Sequence, residues 1–537
     1  MVSVTNINDV LDGHVGLDLD CIDRLYLNAY VPNMAVGGQV ARFLTAHLGN
    51  PIPSPALLEK IGNRFRREVK AFAQENEIPI LQLRKPDRSR WDDRKLDHVR
   101  PFLDAAERDD RFGVVAIVQA QEFQWVFSGK DRSTGKLKRF DFVREERRVG
   151  IYYFYVLDPE FGPGFIKICT YFPYPTKVWL NGHEWAKRQA DREGVAYTAL
   201  ANGFATCADP ARLQTICDRL GADDINAFFA RWTAVIPIPW TEEDRRAGYF
   251  WDLSMRQVEV SRTLVFDDPR RARRFFESLV SDNIDIGRPE EVATVFARQV
   301  RKTTKEPFGT RIFSAGTDVK MDFRYKHSRV KQYLKEGRAL RIETVINKAW
   351  DLSIRSRIEH LPELVEKARQ VNHRLLMIEK AGQGCAIGTA LFERIHQPYI
   401  REGQRAGALR FGDSRAMALA GSLCLVVHAV TGFTNKSLRG QVAGLLGCDY
   451  SRSQMTYDLR RLRLHGLIER IPHTNTYVTT SEGIRVAVFY TKLHRRLLEP
   501  LLDADRPPAP PELRQALRTI DTALRDYVKD ARLGVAA

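Results

Sequence analysis

The sequence predicts a mixed α+β, multidomain chain, with mixed sheets in its N-terminal and central domains and a C-terminal winged helix-turn-helix. Three observations predict it. The chain has 537 residues, more than one hydrophobic core organises. Strand-like and helix-like apolar periods alternate through the first 300 residues. Ser451 to Thr480, SRSQMTYDLRRLRLHGLIERIPHTNTYVTT, reads as a helix, a short strand, a polar tip and a second strand, after two more helical stretches.

Residues 1–100 read as an N-terminal mixed α/β region. VGLDLDCID and RLYLNAYV are strand-like. PALLEKIGNRFRREVKAFAQENE carries Leu58, Ile61, Phe65, Val69 and Phe72 at helical spacing, with Ser54 as cap and Pro55 in the first turn. IPILQLR reads as a strand and RKPDRSRWDDRK as a loop. Residues 101–300 form a central aromatic-rich α/β domain. Its strands are GVVAIVQAQEFQWVFSG, RVGIYYFYVLD and FIKICTYFPYP, and GHEWAKRQADREG is a helix ending at Gly194. A buried sheet explains aromatics such as Tyr152 to Tyr155, Phe172 and Trp179; platforms for unpaired bases are the sharper alternative.

Residues 301–410 form a basic β-hairpin region with helices. YKHSRVKQYLK and ALRIETVIN are its strands and KEGR its turn. Residues 411–502 are the winged-helix unit. Residues 503–537 hold a stiff Pro-rich linker, RPPAPPE, and a terminal helix whose leucines suit docking or homodimer contact.

No run of about 18 apolar residues is present, so no membrane partner is expected. The first residues, MVSVTNINDVLDG, lack a secretory pattern, and seven scattered cysteines form no CxxC pair. A cytoplasmic location with reduced thiols and no zinc follows as the expectation. The net charge is +16 and the pI about 9.5. The excess is localised: Arg301 to Arg357 holds 15 Lys/Arg against 6 Asp/Glu, and Arg410 to Pro500 holds 13 against 6. Localised positive charge of this kind favours a polyanion partner, DNA or RNA.

Within the C-terminal unit, AMALAGSLCLVVHAV is an apolar first helix. Thr434 or Asn435 caps a second that stops at Gly447. Ser451 caps a third that ends at Gly466. Leu459, Leu462 and Leu467 are expected to face the core, and Arg452, Gln454, Arg460, Arg461 and Arg463 to point outward. IERI and TYVTT are the wing strands, with His473 and Asn475 at the tip. On TYDLRRLRLHGLIER the unit resembles the MarR-type winged-helix regulators, over about ninety residues and without their flanking dimerisation helices. The resemblance implies a duplex-binding third helix. On FPYPTKVWLNGHEWAKRQ and YKHSRVKQYLKEGRALRIETVIN the whole chain resembles a set of long bacterial proteins that also end in a winged helix, which implies no activity.

Three constellations bear on chemistry. Asp18 and Asp20, in LDLDCID with Asp23, share a strand face and suit Mg²⁺, which prefers oxygen ligands. In GHEW, Glu184 is placed to join those carboxylates and His183 to act as acid or base. The spacing is not HExxH, and a helix start stabilised by the pair is the plainer reading. Arg341 and Glu343 share a strand face beside Lys326, His327, Arg329, Lys331 and Tyr333. That cluster reads as a phosphate surface or as cross-strand ion pairing. No phosphate-binding loop, GxSxG or dinucleotide fingerprint is present.

Three functions follow. The first is a nucleic-acid-binding protein for DNA or structured RNA, a regulator or a mobile-element or replication accessory. The second is a Mg²⁺-dependent nuclease or transposase-like enzyme using Asp18, Asp20 and Glu184. The third is a protein-interaction scaffold.

Overall fold

The computed structural model describes residues 13–82, 91–132, 134, 140–283, 308–315, 318–382, 389–401, 403–424 and 432–493, with 515, 519, 522 and 523. Apart from those last four, the Pro-rich linker and terminal helix lie outside the described residues, and so does the dimer contact expected there. The chain divides into two compact units: Val10–Glu277 with Glu306–Asn372, and a second whose described residues lie mainly from His373 onward.

The larger unit is built on one mixed sheet of eleven strands, ordered β10-β11-β12-β13-β9-β1-β6-β5-β4-β3-β2. The strands are β1 (Val15–Tyr30), β2 (Ile80–Gln82), β3 (Gly113–Asp131), β4 (Phe140–Asp158), β5 (Gly162–Cys169), β6 (Thr176–Asn181), β9 (Asp252–Phe266), β10 (Phe308–Ala315), β11 (Asp318–Tyr325), β12 (Ser328–Lys335) and β13 (Ala339–Ile346). Neighbours are antiparallel except β2 and β3. A small hairpin of β7 (Tyr197–Leu200) and β8 (Gly203–Cys207) stands apart from this ladder.

Three segments expected as separate domains thus share one sheet. The N-terminal strand lies between β9 and β6, and even its nearest-in-sequence pairing, Ala29 with Thr176, spans 147 positions. It is one strand of 16 residues, not two, and a register shift between Ile22 and Arg24 swaps which side chains face which way.

Helix α1 (Pro55–Glu75) forms as its spacing predicts, with Ser54 Oγ accepting from Ala56 N and Leu58, Phe65 and Val69 buried. Helix α2 (Trp91–Arg108) begins inside the segment expected as a loop. Helices α3 (Gly182–Arg192) and α4 (Pro210–Arg219) pack on β1, and α5 (Ala222–Val235) follows. Most of the aromatics are core: Tyr152, Phe154, Phe161, Phe172 and Tyr174 are at most 1% exposed.

The second unit contains α6 (Ser414–Leu423), α7 (Asn435–Leu446), α8 (Arg452–Leu464), the hairpin β16 (Ile468–Arg470) with β17 (Tyr477–Thr479), and α9 (Ser481–Leu493). An earlier two-strand hairpin, β14 (Tyr399–Arg401) with β15 (Gln404–Ala406), precedes them. Leu438, Val442, Met455, Leu459, Leu462, Leu467 and Ile468 form its core with Leu419 and Leu423. Among the described residues no helix is long and apolar enough to cross a membrane.

Candidate nucleic-acid interface

The sheet of the larger unit holds a buried ionic centre beneath α3. Asn181 caps this helix, its side chain accepting from His183 N and Glu184 N, so the GHEW segment starts a helix as its plainer reading predicts. Gly182 lies so close to β1 that a Cβ there would sit 2.1 Å from the Ile22 carbonyl oxygen. That approach places His183 over Ser261 of β9, with Nε2 3.1 Å from Ser261 Oγ. Arg341 of β13 is fully buried. Its Nη2 lies 3.0 Å from Asp23 Oδ2 and its Nε 3.0 Å from Glu343 Oε1. Nη2 also donates to His183 Nε2 at 2.5 Å, and Nη1 donates to the Asn202 carbonyl. Gly203 is at φ +141°, and a Cβ there would meet Arg341 Nη1 at 3.1 Å.

Asp23, Glu259 and Glu343 bring a carboxylate oxygen each within 4.8 Å of the others, all three buried. Tyr333 Oη donates to Glu343 at 2.6 Å, Gln257 Nε2 to Glu259 at 2.5 Å and Asn202 Nδ2 to Asp23 at 2.5 Å. Lys331 Nζ lies 3.6 Å from Glu343. Against these three carboxylates stand two cations, Arg341 and Lys331, so much of the centre's charge is offset by its own side chains. Burial pushes the His183 imidazole below its usual range, and the Arg341 charge adds to that. A neutral imidazole suits its role as acceptor of the Arg341 proton. The arrangement is that of an internal brace, sealed from any large substrate.

Asp18 and Asp20 share a face of β1, but Arg262 of β9 meets Asp18 in a two-pronged pair, Nε to Oδ1 at 2.9 Å and Nη2 to Oδ2 at 2.6 Å. The guanidinium supplies there the counter-charge a Mg²⁺ ion would supply. Glu184 bonds Lys187 at 2.8 Å. Among the described residues the carboxylates that gather in threes are Asp23, Glu259 and Glu343, and not Asp18, Asp20 and Glu184.

Several of the basic side chains expected on the central surface are paired with acids of the same sheet. Arg341 does not face solvent, because its strand is buried on both faces. Arg329 Nη1 lies 3.5 Å from Asp322, Lys331 pairs with Glu343, and His327 Nδ1 lies 3.3 Å from Asp351. Lys326 occupies the left-handed turn between β11 and β12, at φ +52°. The hairpin thus carries the cross-strand ion pairing, Lys331 with Glu343 and Arg329 with Asp322.

The C-terminal unit differs in this respect. Ser451 caps α8 in a reciprocal box with Gln454: Gln454 N donates to Ser451 Oγ at 3.1 Å, and Ser451 N to Gln454 Oε1 at 2.8 Å. Thr434 caps α7, which ends at Gly447 in the left-handed conformation. Residues at 452, 456, 460 and 463 fall within a quarter-turn of one another on a helix, and Arg452, Thr456, Arg460 and Arg463 are all exposed. Arg460 reaches Gln404 at 3.3 Å.

Arg461, expected outside, is turned inward instead. It lies on the opposite side of α8, donating through Nε to the Gly407 carbonyl at 3.0 Å and through Nη2 to the Ala408 carbonyl. Asp458 is fully buried and accepts from Arg415 Nε at 2.7 Å and from Tyr450 Oη. Burial and the Asp458 carboxylate push the Tyr450 hydroxyl well above its usual range, which keeps it a donor. Phe433 adds a single antiparallel bridge, a further rung, to β17, its N and O bonding the O and N of Tyr477 at 2.8 and 2.7 Å. At its tip His473 is exposed at φ +58°, and Asn475 Oδ1 accepts from Arg470 at 3.0 Å. The Phe433 rung escaped sequence reading; its only signal is an aromatic just before the Thr434 cap. The chain matches no family model, no curated protein and no solved structure.

Proposed function

We propose that the chain binds double-stranded or folded nucleic acid through its C-terminal unit, acting as a winged helix-turn-helix. In this reading α8 enters a groove and the β16–β17 hairpin is the wing. The observation that carries it is the exposed stripe of Arg452, Arg460 and Arg463 on a helix whose opposite side is pinned by Asp458, Arg415 and Arg461. A rigid helix presenting three guanidinium groups loses little freedom on docking, and guanidinium forks match phosphate and guanine edges. His473 and Asn475 at the wing tip are placed to touch a phosphate or the adjoining minor groove. The buried centre around Arg341 and the Asp18–Arg262 pair enter as bracing of the sheet.

The test is binding of a duplex to the intact chain and to R452A/R460A/R463A over a series of salt concentrations. Each lost phosphate contact lowers the log–log salt slope by about one. We expect the slope to fall by two to three, with the variant still folded by circular dichroism. Unchanged affinity at about 0.1 M salt sinks the assignment.

A further inference from the structure

We propose that the outer half of the β3–β4 hairpin is a stacking platform for unpaired bases of a nucleic-acid strand. It shares with the winged-helix reading only the class of partner, since the residues belong to the larger unit. β2 pairs β3 only at Ile117 to Gln119, and β5 pairs β4 only from Ile151 onward. From Gln121 to Asp131 and from Phe140 to Gly150 the two strands pair with each other. No third strand joins that ladder among the described residues. The result is a two-stranded ribbon running on past the rest of the sheet.

One face of this ribbon carries Phe123 and Trp125, at 65% and 62% exposure. They are two residues apart on one strand, so both side chains leave the same face from backbone positions about 7 Å apart. Directly across on β4 are Arg148, opposite Phe123, and Glu146, opposite Trp125, with Arg144 opposite Phe127. Arg144 lies over the Phe127 ring, 5.1 Å from its centre, which keeps its guanidinium on this face. Arg144 and Arg148 form no ion pair with an acid among the described residues. Glu145, on the other face, is held by Lys130 at 3.1 Å and by Arg147. Glu146 is the one acidic side chain beside the rings, against two arginines.

Two open rings flanked by unspent guanidinium groups match a single strand. A base lies flat on each ring whatever its identity, and the arginines take the phosphates between. A paired duplex offers no free base face to the same rings. An apolar protein partner would meet the charges of Arg144 and Arg148 without compensation.

The experiment uses the intact chain, a fluorescein-labelled single strand of about 16 nucleotides in DNA and RNA forms, and the duplex of the same sequence. F123A/W125A is expected to weaken single-strand binding at least about tenfold and to leave duplex binding within about twofold. W125F is expected to bind the strand like the parent, because a flat ring remains, while W125L loses affinity despite its apolar area. Unchanged single-strand affinity in F123A/W125A, or W125L binding as well as W125F, overturns the proposal. Should F123A/W125A lose its fold by circular dichroism, the comparison of W125F with W125L alone decides it. A parent that binds duplex but no single strand overturns this inference and leaves the winged-helix reading standing. Duplex binding indifferent to R452A/R460A/R463A does the reverse.

Discussion

Arg341 shows how far one side chain can be read before its surroundings are known. The spacing of Arg341 and Glu343 placed them on one strand face, and their side chains do meet at 3.0 Å. The partners Asp23, Asn202 and His183 come from elements up to 318 positions away, so burial was invisible and the residue looked like a phosphate contact. Glu259 escaped for the same reason, as a lone acid in QVEVSRTLVF. Removing the guanidinium takes the close cation from the buried Asp23 and Glu343 carboxylates. R341A is expected to cost about 3–5 kcal/mol, read from urea unfolding, and R341K to recover only part, since an ammonium cannot hold Asp23 and Glu343 in one plane.

His183 gives the same centre a pH signature. Its folded pKa is depressed, so above the unfolded value of 6.5 both states are neutral and its hydrogen bonds contribute fully. As pH falls below 6.5 the unfolded state takes up a proton that the folded state refuses, and stability drops. His396 and His465 are shifted in the same direction by burial. Urea midpoints are therefore expected to decline between about pH 6.5 and 5, before most carboxylates titrate, and H183Q to flatten part of that decline. A midpoint constant across this window contradicts the account.

At the scale of elements, caps and periods were legible because they are local. Ser54, Thr434 and Ser451 cap the helices their sequences announce, and Gly194, Gly447 and Gly466 close helices in the left-handed region. The orientation of α8 was legible only in part. Leu459, Leu462 and Leu467 face inward as expected, but Arg461, about 100° on from Arg460, is drawn inward by the Gly407 and Ala408 carbonyls, partners outside the helix. Asp458, three residues earlier, takes the inward one. Gly182 is the element-scale constraint that no pattern signals. Its missing side chain sets how closely α3 approaches β1, and therefore where His183 sits. G182A must push back the Ile22 carbonyl, a rigid backbone atom 2.1 Å from the new Cβ. An overpacking cost of about 1–3 kcal/mol is expected, with the His183 pH signature weakened at the same time. A fully stable G182A shows that α3 has room to move.

Across the whole molecule, the class of structure was legible and the domain plan was not. Mixed sheet and helix follow from local apolar periods, but β1 pairs with β9 and β6, and β13 with β9, so segments assigned to three domains share one ladder. Antiparallel pairing at such sequence separation leaves no mark in either strand alone. The C-terminal unit, by contrast, closes its core within about a hundred residues, and the order of its helices and hairpin was legible in its own stretch. That difference predicts how the chain comes apart. The two compact units have distinct cores: one anchored by Arg341 in the sheet, the other by Asp458 beneath α8. Substitutions that share no partner act independently. R341A is expected to lower one calorimetric transition and D458A the other, with the double variant showing both shifts unchanged in size. Each loss is of the order of 3–5 kcal/mol, because each leaves a buried charge without its counterpart. A single transition that both substitutions lower together shows that the chain unfolds as one cooperative body and removes the division into units.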